Sequence, residues 1–198
     1  MPERLRRSFY ARSVLTVARD LVGKVLVHRT SEGLSAGRIV EVEAYRGPAD
    51  RAAHSAGGRR TKRTEAMWGP PGHAYMFQLY GVHWAFNVVA AAEGEPHAVL
   101  VRAIEPLPPT DLMAKRRNMG ATRRELSNGP GKLCAALGLE RDHYGVDLCG
   151  DRLFITAGEA GRIGRSPRIN IDYAGAWVDK PWRFYERGNR YVSVRPRD

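Results

Sequence analysis

The sequence predicts an α+β or mostly β domain in which strands outnumber helices. Short apolar and β-branched runs recur between Gly, Pro, Asn and Asp punctuation, which is the signature of strands. Few windows carry helical spacing, and they do not alternate with the strands as βαβ units would. No repeat, low-complexity tract or linker divides the 198 residues, so residues 1–198 are read as one domain.

In chain order, Ser13 caps a short helix through Leu21, closed by Gly23. Val25–Arg29 and Gly37–Tyr45 read as paired strands around a turn-rich segment, Ser31–Gly37. Residues 46–72 hold many Gly, Pro and charged positions and read as a long functional loop. Ala74–Tyr80 and Val82–Ala90 form a hairpin pivoting at Tyr80-Gly81. Ala98–Ile104 is a further strand, stopped by Pro106. Asp111–Met119 and Lys132–Leu137 are helices, the second started after Ser127-Asn128 and ended by Gly138. Leu153–Thr156, Arg168–Ile171 and Trp182–Val194 complete the strands.

Charge narrows the partners. Lys plus Arg is 32 against 21 Asp plus Glu, a formal +11, with a pI near 10.2. That excess favours a polyanion, a nucleic acid or an anionic membrane surface. The cations fall in three groups: Arg51 to Arg63, Lys115 to Arg124, and Lys180 to Arg197. Three separated groups suit a surface that tracks a phosphate backbone, although any one suits a solvated face equally. No apolar run approaches the roughly 20 residues of a membrane span, and the N-terminus lacks a signal-type apolar core. The two cysteines, Cys134 and Cys149, form no CxxC pair and read as reduced thiols of a cytoplasmic protein. The chain has no P-loop, GxGxxG, HxxxH or zinc-deaminase pattern, so neither cofactor nor catalytic metal is expected.

Two stretches could carry chemistry. In Gly37–Tyr45, alternation puts Ile39, Glu41, Glu43 and Tyr45 on one face and Val40, Val42 and Ala44 on the other. Two carboxylates on an otherwise apolar strand suit either a solvated face or a functional one. On the hairpin, Tyr75 and Phe77 share a face as core residues or as a platform for an extruded base. Tyr80 sits at the tip, where core packing explains it less well than a wedge between base pairs does.

These stretches resemble a known family. EVEAYRGPADRAAHSAGGRRT (Glu41–Thr61), MFQLYGVHWAFN (Met76–Asn87), AVLVRAIEPL (Ala98–Leu107), NGPGKLCAALGL (Asn128–Leu139) and AGAWVDKPWRFYERGNRYVSV (Ala174–Val194) are similar, in order, to the alkyladenine (3-methyladenine) DNA glycosylases. The resemblance implies a single compact α+β domain. Its sheet would be curved and mainly antiparallel, with flanking helices and a protruding β-hairpin that inserts into DNA. It also implies roles. Glu43 would activate water with Arg102 beside it; Tyr45, His54, Phe77 and Asn87 would form the damaged-base pocket. Asn87 would reject the 2-amino group of guanine, and Tyr80 would fill the gap left by the flipped nucleotide. Arg59, Arg60, Thr61 and Lys62 would meet the DNA backbone. The partner implied is double-stranded DNA carrying damaged purines, met by a monomer that uses no cofactor, no metal and no membrane. No lysine stands among the residues given catalytic or base-pocket roles, so hydrolysis without Schiff-base lyase chemistry is expected. Two rivals stay open: a helix–hairpin–helix glycosylase, weakly suggested by Gly129–Lys132, and a non-catalytic nucleic-acid-binding module.

Overall fold

A computed structural model describes residues 3–195. Arg197, the last of the third basic group, lies outside the described residues. Four helices, α1 (Arg7–Tyr10), α2 (Val14–Leu21), α3 (Asp111–Arg117) and α4 (Pro130–Leu137), accompany eight strands. The strands are β1 (Val25–Thr30), β2 (Gly33–Tyr45), β3 (Ala74–Leu79), β4 (His83–Ala90), β5 (His97–Leu107), β6 (Leu153–Thr156), β7 (Ile163–Ser166) and β8 (Arg183–Glu186). They join in the order β3-β4-β5-β2-β1-β6, with β8 also on β2 and β7 on β8. Every pairing is antiparallel. The α+β architecture expected from the sequence is the one found.

β2 organises the sheet. Its first half pairs with β1, Glu41–Glu43 pair with β8, and β5 runs along the other edge. Changing neighbours part-way along one strand curls the sheet into a half-barrel. Two bulges sit at that point. Ile39 opposes Ile104 and Glu41 opposes Ala103, so Val40 is an extra residue; Val42 then opposes Val101, leaving Arg102 extra on β5. The bulges correct the alternation expected from sequence. Ile39 joins Val42 and Ala44 in the main core, and Val40 packs with Ala103 and Tyr191 instead.

One face of the sheet is covered by helices. α2 presents Val14, Val17, Ala18 and Leu21, spaced as one helical stripe, and its Ser13 accepts a cap bond from the Thr16 N–H at 3.3 Å. α4 begins with Pro130, ends at Gly138 in the left-handed region (φ 71°), and buries Leu133, Cys134, Ala136 and Leu137. These stripes meet Phe86, Val99, Val101 and Ile104. The opposite face is free to hold a site.

Several boundaries differ from the expectation. The turn after β1 is tight, and β2 starts at Gly33, so most of the turn-rich segment is strand. β5 continues through Pro106, which opposes Gly37, to Leu107. Arg168–Ile171 is not a strand; the strand lies earlier, at Ile163–Ser166. Within Trp182–Val194 only Arg183–Glu186 is extended in the sheet. Three cations of the second basic group are engaged within the protein: Arg116 donates to Leu137 O and Glu32, Arg117 to Glu125 O, and Arg124 to Val192 O. No helix among the described residues is long and apolar enough to cross a membrane.

Candidate active site

The open face of the sheet carries a cavity of about 320 Å³ walled by Tyr45, His54, Tyr75, Phe77, Asn87 and Arg102. β2, β3, β4 and β5 each supply part of this wall because β5 and the β3–β4 hairpin lie beside β2. Leu79 and Tyr80 reach the cavity from the hairpin, and Ile169, Asn170 and Tyr173 close the opposite side.

Glu43 is fully buried behind this wall. Its Oε2 accepts from the Tyr45 hydroxyl at 2.9 Å and from Arg102 Nη1 at 3.2 Å. Its Oε1 accepts from the Ile169 backbone N–H at 2.7 Å. A carboxylate with three donors is fixed in direction. Burial, with the Glu43 charge next in effect, keeps the Tyr45 phenol well above its ordinary pKa, so Tyr45 remains a donor.

Arg102 is shared. Its Nε donates to Glu41 Oε1 at 3.1 Å while Nη1 reaches Glu43. Glu41, also fully buried, accepts further bonds from Arg183 Nε at 2.7 Å and from both the backbone N–H and hydroxyl of Ser193. Charges therefore alternate along Glu43, Arg102, Glu41 and Arg183. The bulge at Arg102 aims its side chain between the two acids. Burial works against the Arg102 charge, but Glu43 and then Glu41 raise its pKa.

The aromatic wall is a stacked cluster. The His54 and Phe77 rings meet edge to face with centroids 4.5 Å apart, and Tyr75 lies 5.7 Å from Phe77. His54 Nδ1 is 2.8 Å from the Tyr75 hydroxyl. Burial, then Arg63 and Arg59, pushes the His54 imidazole down to about 4, so it is neutral at pH 7. Asn87 is buried and its Nδ2 donates to Tyr75 O at 3.0 Å, which holds the amide at the cavity wall.

Tyr80 and Gly81 form the hairpin tip. Both have positive φ, 52° and 74°, and the Val82 N–H closes the turn on Leu79 O at 3.2 Å. Tyr80 is 85% exposed. The left-handed conformation is free for Gly81, whereas for Tyr80 it costs about 1–2 kcal/mol.

A second hollow shares Ala52, His54 and Tyr173 with the first and is lined by Arg51, Arg59, Arg63 and Thr61. Arg60 instead forms a two-pronged ion pair with Glu65, at 2.6 and 3.1 Å. Lys62 lies on the outer side of Phe77, where the Arg63 guanidinium stands 5.4 Å from the ring centroid. The expected site residues thus gather around one face, apart from Arg60, whose charge is already matched. Ile169 and Tyr173 escaped the sequence reading, whereas Arg51 and Arg63 entered it only as members of the first, acid-free basic group.

Residues 8–190 match the methylpurine-DNA glycosylase (MPG) family. The chain belongs to the methylpurine-DNA glycosylase family. Similar proteins cover it almost end to end. One from Desulfitobacterium hafniense (strain Y51) is 48% identical over 98% of this chain and 100% of its own length. One from Clostridium acetobutylicum is 47% identical with the same coverage. One from Bacillus thuringiensis is 47% identical over 95% of this chain and 98% of its own length. All three carry the name "Putative 3-methyladenine DNA glycosylase". In this glycosylase Gly129–Lys132 opens a single helix packed on β4 and β5, and the fold is strand-rich. The helix–hairpin–helix alternative is set aside on that ground.

Proposed function

We propose that this glycosylase flips alkylated or deaminated purines out of duplex DNA and hydrolyses the N-glycosidic bond to leave an abasic site. The candidates are 3-methyladenine, 7-methylguanine, hypoxanthine and ethenoadenine. One observation carries the reading: a buried carboxylate, Glu43, is bound to Arg102 and Tyr45 at the wall of an aromatic cavity whose rim includes an exposed hairpin-tip tyrosine. A plain binding module has no use for such a carboxylate.

The cavity is at the small end of ligand pockets, which run roughly from 300 to 1,000 Å³, and suits a single base. Phe77, Tyr75 and His54 offer π surfaces for stacking, and neutral His54 adds no charge against a cationic alkylpurine. Electron-rich rings favour that cation by roughly 0.5–2 kcal/mol. Asn87, fixed by Tyr75 O, would meet a 2-amino group sterically. Departure of the base leaves an oxocarbenium-like sugar. Glu43 stabilises that charge and takes a proton from water; Oε1 has one donor and so retains a lone pair for it. Arg102 orients the carboxylate. None of the cavity-lining residues is a lysine, in keeping with hydrolysis without lyase chemistry.

Tyr80 would fill the vacated stack, and the hollow of Arg51, Arg59 and Arg63 would take phosphate oxygens, with Thr61 and Lys62 beside them. Arg60, paired with Glu65, contributes less. The protein acts as a cytoplasmic monomer on double-stranded DNA. A panel of lesion duplexes scored for abasic sites after alkali treatment tests the reading. Binding without release from every lesion would refute it.

A further inference from the structure

We propose that the buried Arg168–Asp50 pair is a positioning element for base release, an inference that rests on the glycosylase reading above. Both side chains are wholly shielded from solvent. Arg168 donates to Asp50 through both terminal nitrogens, to Ala44 O at 2.9 Å, and towards Trp177 O at 3.4 Å. Its guanidinium carbon lies 4.8 Å from the Tyr45 ring centroid and 5.1 Å from that of Trp182. Asp50 in turn accepts from the backbone N–H groups of Arg46 and Ala52.

The pair therefore fastens three pieces of chain at one point: the end of β2, the start of the long loop at residues 46–52, and the segment 167–171. That segment has no strand ladder of its own. Yet its next residue, Ile169, supplies the N–H on Glu43 Oε1, and Asn170 turns it with φ 57° toward the cavity. Tyr45, against which Arg168 packs, supplies another of the donors on Glu43. Two of the three bonds that aim the carboxylate thus depend on ground fixed by Arg168 and Asp50.

Stability does not account for the arrangement. A buried ion pair is commonly matched or bettered by apolar residues of similar volume. Arg168 Nε, moreover, has no partner. An apolar pair could not tie Ala44 O and the N–H groups of residues 46 and 52 in fixed directions. Neither residue touches the reacting atoms; both act through Glu43 and Tyr45.

The test uses Asp50→Asn, which keeps shape, and Arg168→Lys, which keeps charge but loses the planar fork. Each is measured for hydrogen exchange at residues 168–171, for binding of a lesion duplex, and for single-turnover base release with protein in excess. Exchange in the segment should rise by about tenfold while β2 and β5 stay protected. Release should fall by about 100-fold, the scale of a misplacement of roughly 1 Å, while the dissociation constant stays within about threefold. Release close to wild type despite faster exchange would overturn the proposal, and so would lost release with unchanged exchange. If Asp50→Asn fails to fold, Arg168→Lys decides by the same criteria. A wild-type protein that releases no base refutes the glycosylase reading instead, and the exchange measurement then decides the clamp alone.

Discussion

Replacing Glu43 by glutamine separates chemistry from architecture. The carboxylate accepts from Tyr45, Arg102 and Ile169 in a site closed to solvent. A glutamine can turn its oxygen to Tyr45 and Arg102, but its NH₂ then faces the Ile169 N–H. The glutamine NH₂ and the Ile169 N–H are then both left without an acceptor, at about 1–3 kcal/mol each. For a domain of this size each kcal/mol lowers Tm by about 2–4 °C, so the drop should be about 4–24 °C. Arg102 keeps Glu41 at 3.1 Å, so the rest of the buried charge array survives. Base release should fall by about 10²- to 10⁴-fold through loss of the general base. Lesion binding should persist, since the amide keeps the shape of the wall. The assay is single-turnover release from a lesion duplex, counted as alkali-cleaved abasic sites, beside calorimetric Tm. Release within about tenfold of wild type, in a protein showing the expected Tm drop, would refute the role given to Glu43.

Tyr80→Ala should leave Tm unchanged because the ring is exposed, yet lose lesion preference worth about 1–3 kcal/mol of stacking; 2-aminopurine fluorescence beside the lesion reports it. Equal brightening by both proteins would exclude the wedge. Asn87→Ser should release ordinary guanine detectably, measured as abasic sites in undamaged duplex, and unchanged discrimination would remove Asn87 from the base pocket. Arg59→Glu should weaken damaged and undamaged DNA alike and flatten the salt dependence, whereas Arg60→Glu, whose cation already serves Glu65, should do less in the same titration. Burial first holds both His28 and His54 at about 4, below the ordinary 6.5. Between those values the unfolded chain binds the protons, so Tm should fall as pH drops from about 6.5 to 4, and His28→Asn should flatten the slope.

Local chemistry made part of this legible in the sequence. Tyr80-Gly81 between two apolar strands announced the hairpin, and Ser13 and Gly138 marked helix ends. Glu43 and Tyr45, two residues apart on one strand, had to share a face, and they do. The bulges at Val40 and Arg102 were not legible, because they answer to the partner strands; Ile39 was therefore placed on the wrong face. β7 escaped notice because Gly164 weakens its strand signal, and the glycine is there because any Cβ would strike the Tyr185 ring. Ile169 and Ile171 gave Arg168–Ile171 a strand-like appearance, although a side-chain clamp shapes that segment. Nor could the strand pattern tell Glu41 from Glu43; with Arg102, Arg183 and Ser193 all bound to Glu41, Glu41→Gln would unbalance the buried charges.

The alternating line of acids and arginines also sets an order of events during synthesis. Glu41 and Glu43 leave the ribosome first, Arg102 well after them, and Arg183 and Ser193 later still. Until those later partners emerge, closing the sheet would bury a carboxylate with too few donors. A nascent chain still lacking Arg183 and Ser193 should therefore keep β2 open at Glu41, and closure of the sheet should wait for both.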